Sequence, residues 1–572
     1  MDRLMGCIQR IVLVMGWGGL SGLLVAAGCA HSSSSEGGGS GSGAGNGAGA
    51  AGNGAGNGNP ILDPGVEDPG PEPGPGYLPP PPDDNCGTRC FRDGSLPEDA
   101  PAAFEGAASS EGRPEVVYPL AHSMHPINIG EITFHWKRSA QHSLFRVRVS
   151  GAAEQWDFFV PCEGVPGGES TECTYTLPEN SWLALAYALR GTEVAVTIAG
   201  TSGAGGPVAE SPPLTLAFSP WVVQGGLYYW STALPGTYRL VFGARKATPF
   251  IAPQTPENPS TCSGCHTVSR SGNAIAFTGG PVAATGHLVV SPTDNPGQPY
   301  FTPSDAHDSS MPALSPDGSL VAVAYDHKLV VRSALTGAMV SEVPSAMLGG
   351  HGNPYFPEWS PDGTELVVTL SPEPDAQWSV RSGKIAVLPY NGGSWGPAQV
   401  IVADELMNFY PSYSPDGRWI AFSSSPKGAS LISYDQSQAR LRLVSRDGGA
   451  VHELGKATQA VGKASTWPKF APFEQADGKV LFITFNSKID YGLLLKNSVL
   501  SERRPQLWFA AIDLRKLGSG DPSFAPVWLP FQDTAQNNHL GFWTEHVTCD
   551  VDQGSFCGVD ENCVGKRCTV VR

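Results

Sequence analysis

The residues best suited to chemistry lie together at Cys262-Ser263-Gly264-Cys265-His266. Two thiols separated by two residues can form thioethers to the two vinyl groups on one porphyrin edge, and the adjacent imidazole then reaches the iron. Cys-x-x-Cys-His is the attachment pattern of c-type haem. On this reading Cys262 and Cys265 carry the haem and His266 is its proximal ligand. Three other uses of the same residues stay open: a Cys262–Cys265 disulfide of redox character, half of a zinc site, or an attachment site in a lineage that has lost its haem.

The other cysteines point to export. Arg3 and Arg10 precede an apolar run, Ile11–Ala27, that closes on Val25-Ala26-Ala27-Gly28-Cys29. A charged start, a short apolar stretch and small residues before a break form a secretory signal over 1–28, not a spanning helix. Small residues directly before Cys29 resemble the lipobox of bacterial lipoproteins. That resemblance implies a lipid on Cys29, membrane attachment through it, and outer-membrane residence, since Ala30 is not the Asp that holds such proteins at the inner membrane. Ten further cysteines fall in local sets, Cys86/Cys90, Cys162/Cys173, Cys262/Cys265 and Cys549/Cys557/Cys563/Cys568. Outside the Cys262/Cys265 pair they read as disulfides: Cys86–Cys90, Cys162–Cys173 across a hairpin, and a small knot of open pairing in the tail.

The elements that would position the motif are β-strands. Residues 29–83 are Gly/Ser-rich and then Pro-rich, a tether unable to bury a core, and 84–115 reads as a linker holding Cys86 and Cys90. From 116 to 219 apolar and polar residues alternate, as in Leu144-Phe145-Arg146-Val147-Arg148-Val149. This fits a small sandwich of immunoglobulin or fibronectin type. From 220 to 548 the chain repeats. Ser315-Pro316-Asp317-Gly318, Ser360-Pro361-Asp362-Gly363 and Ser414-Pro415-Asp416-Gly417 each precede a β-rich run, and weaker copies begin at Ser269 and Asp477. Spacings near 45 residues are the period of β-propeller blades. The Asp-Gly pairs turn one strand into the next. A sixth blade joins Leu227–Trp230 and Tyr238–Phe242 to a last strand at Gly541–Thr544.

Written out as Met311–Gly318, Phe356–Gly363 and Tyr410–Gly417, the repeat resembles the blades of TolB-like proteins. The resemblance implies a six-bladed β-propeller over somewhat more than half of the chain and says little of function. Blade alignment places His266 where other repeats carry Pro312, Pro357 and Pro411, at one mouth of the central channel. The second iron ligand then comes from an equivalent position. Met311 is nearest in register, with His307, His351, Met407 and His539 as alternatives.

Several functions are disfavoured. The chain carries 36 basic and 53 acidic residues, a net charge of −17, and has no Lys/Arg cluster to bind a phosphate backbone, so nucleic acid is not an expected partner. Gly392-Gly393-Ser394-Trp395-Gly396 spells a hydrolase elbow but sits between two strands. Asp550, Asp552 and Glu561 have the spacing of a calcium loop, yet Gly is missing at its sixth position and two cysteines interrupt it. The chain is thus expected to be an all-β, lipid-anchored envelope protein with a haem for electron transfer or redox sensing; the residues lean away from an enzyme without deciding it. The alternative is a binding scaffold docking protein or glycan, with Cys262/Cys265 as a disulfide or vestige.

Overall fold

The computed structural model describes residues 81–231, 236–242, 246–251, 265–279, 287–302, 309–373, 375, 378–428, 431–459, 462–476, 478–496, 504–547, 561–564 and 567–570. The signal, the tether up to residue 80, Cys29, Cys262, His307, Cys549, Cys557, Asp550 and Asp552 lie outside the described residues.

Two sheets form the N-terminal sandwich. One is built around Gln155–Val160, Leu144–Ser150 and Glu193–Thr201; the other joins Glu115–Tyr118, Thr133–Lys137, Glu172–Thr176 and Glu163–Gly164. Along Leu144–Ser150 burial alternates residue by residue, the period of a half-buried strand. Phe145, Val147 and Val149 point into the core, whereas Arg146 and Arg148 turn out to pair with Glu210 at 2.8 Å and Asp157 at 2.6 Å. Trp136 and Phe145 meet at 5.3 Å between ring centroids, both fully buried. Each contributes about 2–3 kcal/mol by leaving water. Cys162 and Cys173 are disulfide-bonded, and so are Cys86 and Cys90.

The sandwich departs from its expected form in two ways. Residues 84–115 are not a linker. Cys90–Arg92 pairs in parallel with Gln155–Val160, and Ala108–Ser109 with Val208–Glu210, so this segment adds strands to the larger sheet. It is held because Ala103 and Phe104 bury against Phe159, and Tyr175 donates to Asp93 at 2.8 Å. Glu179–Ala188 is also helical rather than extended, with Trp182 and Leu185 buried in the core. Leu and Ala supply good helix formers there, and the β-branched residues that favour strands are absent.

The propeller follows as six sheets among the described residues. Taking the Cys265–His266 segment as blade 1, the innermost strands are Thr267–Val268, Ala313–Leu314, Asn353–Trp359, Leu406–Tyr413, Thr466–Phe470 and Asn538–Thr544. The sixth blade pairs Asn538–Thr544 with Gly226–Ser231, which continues to Gly236–Val241 and Thr248–Ile251. The start and end of the propeller therefore share a sheet, so the ring cannot open without breaking a strand pair. Ser394–Trp395 pairs with Lys384–Asn391 in a hairpin, so the Gly-x-Ser-x-Gly stretch is a strand connection.

The Ser-Pro-Asp-Gly turns explain their own sequence. Ser315 Oγ donates to Asp317 at 2.6 Å and accepts from Leu320 N–H at 2.9 Å, while Gly318 takes φ +77°. The same bonds recur around Asp362 and Asp416. Burial works against the charged form of these carboxylates. Their hydrogen bonds outweigh it and hold all three below the usual aspartate range.

The two domains are docked. Tyr118 Oη accepts from Trp528 N–H at 3.1 Å, His135 Nδ1 accepts from Leu493 N–H at 3.1 Å, and Glu172 pairs with Lys496 at 2.5 Å. Tyr491 stacks on Trp528 at 3.9 Å and meets Tyr118 edge-on at 5.0 Å. At the C-terminus Glu561–Val564 and Arg567–Val570 form a hairpin that places Cys563 opposite Cys568.

Candidate functional site

The axis of the propeller is built in layers, each contributed once per blade. Cys265, Met311, Phe356, Tyr410, Trp467 and Leu540 occupy the same register and share one unusual backbone state, with φ between +46° and +56°. Such a conformation costs a side-chain-bearing residue about 1–3 kcal/mol. In blades 3 to 6 it coincides with a bulge that breaks the strand register, and a bulge re-aims the side chain it carries. Tyr410 stacks on Trp467 at 3.4 Å, and Phe356 meets Tyr410 edge-on at 4.5 Å, so aromatic rings plug the channel.

Two positions along each strand the next layer holds Thr267, Ala313, Glu358, Ser412, Lys469 and Phe542. Lys469 forms an ion pair with Glu358 and lies over the Phe542 ring at 4.5 Å. Glu358 also accepts from Ser412 Oγ at 2.7 Å and Tyr413 N–H at 2.9 Å. Three positions further, at the mouth, come Arg270, Pro316, Pro361, Pro415, Pro472 and Glu545. Arg270 replaces the proline of its repeat. Its guanidinium bonds Glu545 at 2.5 Å, the Pro415 carbonyl at 2.9 Å and the Pro472 carbonyl at 2.8 Å, reaching across the mouth to blades 4 and 5. Between these layers lies a cleft of about 110 Å³, with Trp359, Tyr413, Phe470 and Trp543 in its wall.

The residues expected to serve a haem are distributed as follows. His266 is 1 % exposed. Its Nε2–H donates to the Tyr228 carbonyl at 3.4 Å, its ring meets Phe542 edge-on at 5.3 Å, and Nδ1 is buried with no partner among the described residues. Burial, aided by the charge of Lys469, pushes its pKa down to about 4, so the ring is neutral. Met311 lines the same small cavity as His266, about 20 Å³ in volume. Met407 is fully buried among the axial aromatics, His351 follows the Ser345–Leu348 turn, and His539 packs beside Trp230 at 6.2 Å, with burial holding it down to about 3. Among the described candidates His266 and Met311 line one cavity, and Met407, His351 and His539 are not part of its lining. A space of 20 Å³ holds one water or one ion. His266 as placed faces a space of that size, and Cys262, Ser263 and Gly264 of the motif lie outside the described residues.

Sequence reading missed Arg270, Glu358 and Lys469. Each is a charged residue at an aligned blade position that is small, apolar or proline in several other blades, and that departure was their available signal. Among the described residues no group of three His, Cys, Asp or Glu side chains could hold a metal ion.

The fold is that of a β-propeller with a docked β-sandwich. No family model matches the chain, and no curated protein matches it. Similar solved structures include a TolB protein from Agrobacterium tumefaciens, 17 % identical, covering 45 % of this chain and 87 % of that one with a TM-score of 0.30. An oligogalacturonate lyase from Vibrio parahaemolyticus is 12 % identical, covering 48 % of this chain and 82 % of that one with a TM-score of 0.28. At such identities no activity passes from either protein to this chain.

Proposed function

We propose that the chain is an exported, lipid-anchored binding scaffold whose propeller mouth docks a segment of another envelope protein or a glycan. The observation that carries this reading is the state of the charged groups around the 110 Å³ cleft. Arg270, Glu358 and Lys469 each already hold a hydrogen-bonded partner of opposite charge. A general base or nucleophile needs a group poised to exchange protons; these are committed, and they fix the shape of a cleft walled by proline and aromatic faces. Such surfaces suit recognition. The two disulfides support an oxidising compartment, and the Cys29 lipid would be the membrane attachment. The surroundings of His266 lend no support to the electron-transfer reading.

The test places a photo-crosslinking amino acid at Pro361 in the full-length chain within its native cells. A discrete adduct with one protein or glycan species, lost when Trp359 is changed to Ala, is the expected result. Absence of any adduct, together with a haemochrome spectrum from the denatured protein, would replace the scaffold with the haem reading.

A further inference from the structure

His266 and Met311 share a feature that the scaffold function leaves unused: both carry donors for soft metals, and both line the same enclosed space on the propeller axis. The imidazole is set up as a ligand. Because Nε2–H donates to the Tyr228 carbonyl, the lone pair resides on Nδ1, and that atom is buried with no partner among the described residues. A backbone carbonyl fixing the tautomer from behind is the usual support of a metal-bound histidine. A buried, unpartnered acceptor is otherwise costly.

The lining also selects the kind of ion. Among the described residues it includes no carboxylate, the donor that hard cations such as Ca²⁺ and Mg²⁺ favour. Its one charged member among the described residues is Lys469, whose charge is paired with Glu358 and opposes a dication more strongly than a monocation. Thioether and imidazole are soft, neutral donors that suit Cu(I), and Phe356, Tyr410 and Trp467 line the same space, where aromatic rings favour a monovalent cation. The volume of about 20 Å³ admits a single ion.

We propose that His266 Nδ1 and Met311 Sδ form a binding site for one soft monovalent metal ion, Cu(I), on the propeller axis. The ion is bound, not turned over.

The experiment titrates the purified full-length protein anaerobically with Cu(I) against a chromogenic chelator. One equivalent should be retained, and Zn²⁺ offered under the same conditions should not. Met311→Leu, close to isosteric, should weaken retention at least about tenfold. Met407→Leu, a methionine buried in the same core outside the cavity lining, should leave it unchanged. Near-ultraviolet circular dichroism checks that each variant keeps its packing. The site is overturned if the native protein retains no Cu(I), or if Met311→Leu binds as tightly as the native chain. It is equally overturned if retention survives Met311→Leu and disappears in Cys265→Ser, which would put the ion on the thiols.

Discussion

Arg270 of the first blade and Glu545 of the closing blade form an ion pair at 2.5 Å across the seam where the propeller ring meets itself. The pair is backed by the main chain, since Arg270 O accepts from Glu545 N–H at 2.8 Å and from Thr544 Oγ1 at 3.1 Å. The same guanidinium holds two carbonyls on the far side of the mouth. One side chain therefore ties together blades 1, 4, 5 and 6, adding a polar lock to the strand pairing of the sixth sheet.

Arg270→Ala should remove that lock. Hydrogen bonds to a charged donor each contribute about 1.5–3 kcal/mol; with partial exposure, a total loss of about 2 kcal/mol is expected. Thermal unfolding of the purified protein checks it. An unchanged melting temperature would show that the seam is held by strand pairing alone.

The turn aspartates predict a dependence on acid. In Asp416 the folded pKa lies below its usual value of 3.8, as hydrogen bonds from Ser414 and Arg418 prevail over burial. The stability this group adds is present above that value and is lost as pH falls through the lower, folded value. Asp416→Ala should melt earlier than the native protein at pH 6, and the difference should shrink below about pH 4. A constant gap from pH 6 to pH 2.5 would contradict the assignment.

Docking of the two domains should be visible calorimetrically. Tyr118 is 3 % exposed and joins the sandwich to Trp528 and Tyr491 of the fifth blade. The native chain should unfold in one transition. Tyr118→Ala, costing about 3 kcal/mol or more at a buried aromatic, should split it into two. A single transition in the variant would mean that other contacts suffice.

The lipid assignment has a direct readout. If the proposed lipid is the anchor, Cys29→Ala should release the protein into the soluble exported fraction, because the Gly/Ser- and Pro-rich sequence after it has no amphipathic pattern to replace the lipid. Sedimentation with membranes after a high-salt wash would refute it.

The blade architecture was legible in the sequence because a repeated turn leaves a repeated signature. Ser315, Asp317 and Gly318 are local: their hydrogen bonds close within five residues, so the motif reports the turn wherever it occurs. Alternation along Leu144–Ser150 reported the sandwich strand for the same reason, one face being buried. The segment 84–115 was not legible. Its strands are short, and its place depends on Phe159 and Tyr175, which lie far along the chain. Nor were the surroundings of Cys265-His266. By spacing it is a haem motif, and in the fold it holds the register of Met311-Pro312, with Cys265 in the left-handed ring of the axis and His266 buried against Phe542. Spacing fixes which atoms are neighbours along the chain, whereas the space in front of them is made by five other blades. The turns and blade period therefore belong to the sequence alone; the plugged axis, the Arg270 lock and the cavity shared by His266 and Met311 exist only once the ring has closed.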